Sequence, residues 1–175
     1  SVPAKDICDR WRSRRTPSPG SGTWRYLCWA RWIPTAIARQ AICKGILREG
    51  PFGSMWAAHV DSEARVVGWE ERGPGWRGFA TGGSKVIFRF GPSDASRLCV
   101  TEAAIDAMSL AALEGSREQT LYVSTGGGWS PATDAALAEL AVRPGLTMVA
   151  ATDANPQGDA YAERLRALAE ASGCD

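Results

Sequence analysis

From Arg97 onward the apolar positions fall into two alternating kinds of run. Residues 97–101, 120–124 and 146–152 are short, nearly continuous apolar stretches of strand length. Residues 103–113, 131–141 and 158–171 are alanine-rich, with apolar positions at helical spacing. The order β-α-β-α-β-α implies right-handed crossovers and a parallel sheet covered on both faces. Upstream, Tyr26, Leu27, Trp29, Ile33, Ile37, Ala41 and Ile42 recur at helical spacing between Trp24 and Gly45, with Pro34 acceptable in a helix's first turn. Trp24, Trp29 and Trp32 could offer base-stacking platforms among Arg25, Arg31 and Arg39, although aromatics at helical spacing are more often core. The period then changes. Residues 54–60, 64–70, 77–81 and 85–90 are short, rich in Val, Phe and Trp, and separated by Gly/Pro or Asp/Ser turns, the pattern of an antiparallel β-meander. The expected architecture is an α/β domain with a parallel sheet over residues 93–175, preceded by a smaller α+β subdomain over 24–92. Residues 1–23 form a short helical lead with a basic cluster, Arg10 to Arg15, which could touch phosphates but reads more simply as a solvated tail, and then a Pro/Gly/Ser linker.

The candidate chemistry sits where strands stop. The run through Val100 and Thr101 ends in Glu102, with Asp106 four residues on, and the run through Ala150 to Thr152 ends in Asp153, with Asn155 two residues on. If the two strands are parallel neighbours, both acids emerge at the carboxyl edge of the sheet, where open α/β sheets bind ligands, in a metal-site geometry. Between them, the strand over 120–124 runs into Gly126, Gly127 and Gly128 and then into a helix start at Ser130-Pro131. Glycines let backbone pass close to a ligand, and helix N-termini attract anions. Lys85, after Gly82 and Gly83, could present its ammonium to a phosphate, although a hairpin turn with a solvated lysine explains the same residues. The bland alternative for the acids is that Glu102 and Asp106 start a helix and Asp153 to Pro156 form an Asx turn.

Glu102-x-x-x-Asp106, a glycine-bearing strand end and Asp153-x-Asn155-x-x-Gly158 together resemble the Toprim domain of bacterial primases, topoisomerases and related nucleases. The stretch 103–109 looks most like the variant found in plasmid primase or mobilisation (relaxase-associated) proteins. An uncharacterised domain commonly precedes the Toprim part there, and residues 72–85 are similar to its Gly-rich signature. The resemblance implies a Toprim-like fold and a Mg²⁺ site, with Mn²⁺ as a substitute, held by Glu102 and Asp153. Asp106 would be an outer ligand and Glu102 the catalytic residue. Asn155 stands where the family usually has a second aspartate; its carbonyl oxygen can coordinate but brings no charge, so metal binding should be weaker.

Composition narrows the choices. A chain of 175 residues with a formal net charge of +1 is not generally basic, so contact with DNA, single-stranded or duplex, has to come from local patches such as Gly126 to Gly128 and Lys85. No stretch is long and apolar enough to span a membrane, and the expected location is the cytoplasm. Five widely spaced cysteines fit neither a disulfide framework nor a Cys-x-x-Cys zinc site. His59 has no cysteine or acid at a ligand-like spacing and reads as structural or exposed. The missing initiator Met and abrupt end suggest a piece of a larger protein with further domains. Two function classes stay open: a Mg²⁺-dependent phosphoryl-transfer module of a primase-like or DNA-mobilisation protein, or a non-catalytic nucleic-acid-binding or docking module with a degenerate site. Nucleotide sensing is a third, weaker one. Template-directed synthesis by the chain alone is not expected without an accompanying zinc-binding domain, and Tyr26, Tyr122 and Tyr161 carry no context of a topoisomerase nucleophile.

Overall fold

The structure, a computed structural model, describes residues 4–174. Ser1 to Pro3 of the lead and Asp175 lie outside the described residues. Strands β1 (Leu47–Glu49), β2 (Met55–Val60), β3 (Val66–Gly73) and β4 (Trp76–Phe79) pair in chain order as one antiparallel sheet. Strands β5 (Phe88–Phe90), β6 (Arg97–Thr101), β7 (Thr120–Ser124) and β8 (Thr147–Ala150) form a second sheet in the order β5-β7-β6-β8. There β6 runs parallel to both β7 and β8, while β5 closes one edge antiparallel to β7. Leu98 to Thr101 are buried throughout, as expected of a strand covered on both faces.

Three apolar clusters hold the layers together. On one face of the first sheet, α1 (Ala4–Arg12) seats Ile7 and Trp11 against Trp56, Ala58 and Trp69, with the Trp56 and Trp69 rings stacked 4.1 Å apart. The central cluster joins Leu47, Met55 and Ala57 of that sheet to Leu27 and Ile37 of the N-terminal helices and to Phe88, Met108 and Tyr122. Here α4 (Ala104–Leu113) covers one face of the second sheet. The third cluster puts Leu137, Leu140 and Leu165, from α5 (Pro131–Ala141) and α6 (Pro156–Ser172), over its opposite face. Ser130 caps α5, its hydroxyl accepting from the Thr133 N–H at 3.1 Å with Pro131 behind it, and Gly173 ends α6 in the left-handed region at φ 68. Among the described residues no helix is long and apolar enough to cross a membrane.

Three expectations are corrected. The helical run from Trp24 is broken: α2 (Gly22–Arg25) opens into a π-helical turn, Tyr26–Ala30, the chain reverses at Trp32 (φ 56), and α3 (Thr35–Cys43) restarts behind Pro34. Pro34 has no N–H for a continuing ladder and disfavours helical backbone at Ile33. The strand expected over 85–90 is shorter and belongs to the second sheet, tied to the first by the Val60–Ile87 bridge and by the Val86 N–H donating to His59; the meander gains β1 instead. Both sides of that segment are buried, Phe88 and Phe90 in the central cluster and Val86 and Ile87 in the third, so burial chose its sheet. Finally, the cluster from Arg10 to Arg15 is not a solvated tail. Arg10 and Arg14 lie 5.0 and 5.1 Å from the Trp69 and Trp56 ring centres, and Arg15 pairs with buried Glu49.

Candidate metal and phosphate site

Parallel pairing of β6 with β8 aligns Val100 with Ala150, so the loops carrying Glu102 and Asp153 leave the sheet at the same edge. They are joined there: Glu102 Oε1 accepts the backbone N–H of Asp153 at 3.0 Å. Asp106, in the first turn of α4, faces the same cleft of about 310 Å³, whose wall also includes Arg31, Arg72, Arg77 and Gly127. A contiguous cleft of about 510 Å³ adds Lys85, Gly126, Asn155 and Gln157. Every sequence-derived site residue except Gly128 thus lines one of two clefts that share Glu102 and Asp153. Gly128 is close by, with Lys85 Nζ 3.6 Å from where its Cβ would be. Arg10 to Arg15 line neither cleft.

The electrostatics are those of crowded acids facing cations. Burial raises the Asp106 carboxyl above the ordinary aspartate value, and the charges of Asp153 and Glu70 raise it further, against a smaller lowering by Arg31 and Arg72. Among the described residues no group of three or more His, Cys, Asp or Glu side chains is gathered closely enough to hold a metal ion by itself. Mg²⁺ does not require such a cage, since it is commonly held by one or two carboxylates with the remaining positions left to water and phosphate. Carboxylate oxygens of Glu102, Asp106 and Asp153 lining one cleft are a hard donor set that fits a divalent cation in chemistry, without forming a closed site. On the opposite wall, Arg72 Nε is buried with no hydrogen-bond partner in the protein, which suits an anionic ligand.

The local sequence explains both loops. Asn155 is the N-cap of α6, its Oδ1 accepting the Gly158 N–H at 2.9 Å. Gly158 has to be glycine, since a Cβ there would lie 1.9 Å from the Asp153 carbonyl oxygen. The glycine turn differs from its expected use. The Gly126 N–H donates to Ser124 Oγ at 3.0 Å and the Gly127 N–H to the Glu102 carbonyl at 2.7 Å, so both are satisfied within the protein. What Gly126 supplies is room: it sits at φ 72, and a Cβ would meet the His59 ring at 2.8 Å.

Sequence reasoning missed the support beneath the site. Glu70 and His59, both fully buried, sit between the sheets. His59 Nδ1 accepts the Val86 N–H at 3.1 Å, which leaves Nε2 to donate to Glu70 Oε2 at 3.0 Å. Glu70 also accepts the Ser124 hydroxyl at 2.8 Å and the Ala104 N–H, in the first turn of α4, at 3.0 Å. Burial pushes its carboxyl up, but the hydrogen bonds from His59, Ala104 and Ser124 outweigh that and hold it below the usual glutamate value. This carboxylate thereby fixes the backbone two residues beyond Glu102. Strand parity held a signal: Glu70 and Arg72 share a face of β3, and Arg77 pairs with Arg72 across the Pro74-Gly75 turn. Arg31 is legible as a basic neighbour of Trp29 and Trp32, but its place in the acidic cleft is not, because that depends on the break at Trp32.

Residues 99–175 match the family model described as Toprim-like, and residues 25–95 match a family described as a protein of unknown function, DUF3991. No curated protein sequence matches the chain. Among solved structures, the primase fragment of the bacteriophage T7 primase-helicase is 19% identical with a TM-score of 0.54, over 94% of this chain and 72% of that one. The zinc-binding and RNA polymerase domains of the Aquifex aeolicus primase are 15% identical, TM-score 0.55, over 98% of this chain and 52% of that one, about half its length. The RNA polymerase domain of the Mycobacterium tuberculosis primase is 16% identical, TM-score 0.54, over 93% and 71%. At these identities the likeness is one of fold, and it extends over both sheets.

Proposed function

Since residues 99–175 form a Toprim-like domain behind a segment of an uncharacterised family, we propose that the chain is a Mg²⁺-dependent phosphoryl-transfer module of a primase-like or DNA-mobilisation protein. The observation that carries this is the meeting of Glu102, Asp106 and Asp153 with Arg31, Arg72 and Arg77 in one cleft. A divalent cation held by Glu102 and Asp153 would supply Lewis-acid stabilisation of phosphate oxygens as charge develops on them. The arginines clamp those oxygens from the other wall, and a guanidinium offers two parallel donors to a phosphate. Asp106 would be an outer ligand, ionising fully once a cation offsets the neighbouring charges, and Lys85 would meet the strand further along the groove. Glu102, bonded to the Asp153 loop, is the carboxylate on which transfer depends. The relatives' roles in priming support nucleic acid as the substrate, and the resemblance over residues 103–109 supports a plasmid-borne parent protein acting in the cytoplasm, to which this chain contributes one part.

A second reading, a docking module with a degenerate site, is favoured by Asn155, whose side-chain oxygen is engaged in capping α6. The two separate in one assay with single-stranded and duplex DNA. A transfer module shows divalent-dependent cleavage or nucleotidyl transfer that Glu102→Gln abolishes, with DNA affinity falling less than about threefold and declining steeply with salt. Equal binding with no reaction in either form identifies the docking module, and salt-insensitive or absent binding contradicts both.

A further inference from the structure

We propose that Trp29 and Trp32, flanking Arg31, are a stacking platform for the unpaired bases of a single-stranded nucleic acid; this rests on the nucleic-acid reading above. Trp24 belongs to the same aromatic run but is core, 7% exposed, whereas Trp29 is 65% and Trp32 84% exposed. Trp32 also has φ 56, just past the helix end, where the left-handed region makes glycine the least strained choice. Backbone strain for an indole that gains nothing from the core points to a role outside the core. The loop is pinned on both sides. The Ile33 N–H donates to the Leu27 carbonyl at 2.9 Å, the Arg31 N–H donates to Tyr26 at 3.0 Å, and Leu27 and Ile33 are buried. The rings are thus carried on fixed backbone, so little ordering is lost when a base arrives.

Charge selects the occupant. No aspartate or glutamate occurs between Asp9 and Glu49, while Arg25, Arg31, Arg39 and Lys44 are exposed in that stretch. Arg31, between the two tryptophans, lines the acidic cleft with Arg72 and Arg77. Because Arg31 is the chain neighbour of Trp32, a polyanion whose phosphate meets Arg31 passes beside the exposed indole, and only a single strand has base faces free to stack.

The test compares an oligothymidylate with an abasic oligonucleotide of equal length, using fluorescence anisotropy of the end-labelled strands, on the wild type, Trp32→Gly and Trp29→Ala/Trp32→Gly. The wild type is expected to prefer the base-bearing strand about tenfold. Trp32→Gly removes most of that preference and the double variant all of it, while both keep the wild-type affinity for the abasic strand. Because glycine relieves the left-handed backbone, the Tm of Trp32→Gly does not fall. Equal wild-type affinity for the two strands, or a preference untouched by the substitutions, overturns the platform and leaves phosphate binding standing. Binding of neither strand overturns both the platform and the nucleic-acid reading beneath it.

Discussion

Asn155 does the work of a cap where Toprim-like sequences usually carry an acid, and the two roles are compatible. Aspartate caps a helix as well as asparagine does, and its charge also suits a helix N-terminus. Asn155→Asp is therefore expected to leave thermal stability within about 0.5 kcal/mol of the wild type while tightening Mg²⁺ binding, since a carboxylate adds Coulombic attraction where an amide offers a dipole. Calorimetry on the two proteins checks this, and unchanged or weaker affinity would show that residue 155 points away from the cation. Glu102, Asp106, Asp153 and Asn155 could be found from sequence because each ends an apolar run or opens a helix. The place of Arg31 in the cleft and the Glu70–His59 pair could not be found in that way. Their positions follow from a chain reversal at Trp32 and from contacts between the sheets, neither of which leaves a period in the sequence.

Strand β6 and helix α4 are joined at their far ends as well as at the site. Arg97 grips Glu114 with two bonds of 2.8 and 2.9 Å, and the Tyr122 hydroxyl donates to Glu114 at 2.6 Å. The Arg97 bond, with help from Tyr122, outweighs desolvation and lowers the Glu114 carboxyl from 4.5 to about 2. A group whose folded value is depressed stabilises the fold above its unfolded value and loses that contribution as pH falls toward the folded one. Urea midpoints should therefore decline between about pH 4.5 and about 2 with a component that Glu114→Gln removes. The α6 start is the other sensitive element. Gly158→Ala places a methyl against the Asp153 carbonyl, so the helix start or the Asp153 loop has to move. Lower thermal stability and loss of the divalent-ion response are expected, measured by melting and by NMR shifts; a variant that melts and responds like the wild type would contradict the contact. At this level the elements after residue 96 were legible, because a parallel sheet and its helices each carry a strong pattern. β1 was not, with Leu47 its only apolar residue, and the sheet chosen by β5 depended on burial rather than period.

The two sheets meet at the site, and that junction makes one cleft from residues far apart in the chain. Glu70 of the first sheet bonds Ser124 and Ala104 of the second part, while Arg72 and Arg77 of the first face Glu102 and Asp153 of the second. A net charge of only +1 hides this separation of cationic and acidic walls. The most direct test of the cleft as a metal site is a Mg²⁺ titration, with Mn²⁺ as a second ion, followed by NMR and calorimetry on the wild type and on Glu102→Gln. Saturable binding at millimolar Mg²⁺ should shift resonances around Glu102, Asp106 and Asp153, and Glu102→Gln should weaken it by about tenfold or more, the loss of one charged ligand. No response at millimolar metal, shifts confined to the first sheet, or equal affinity in the two proteins would contradict it.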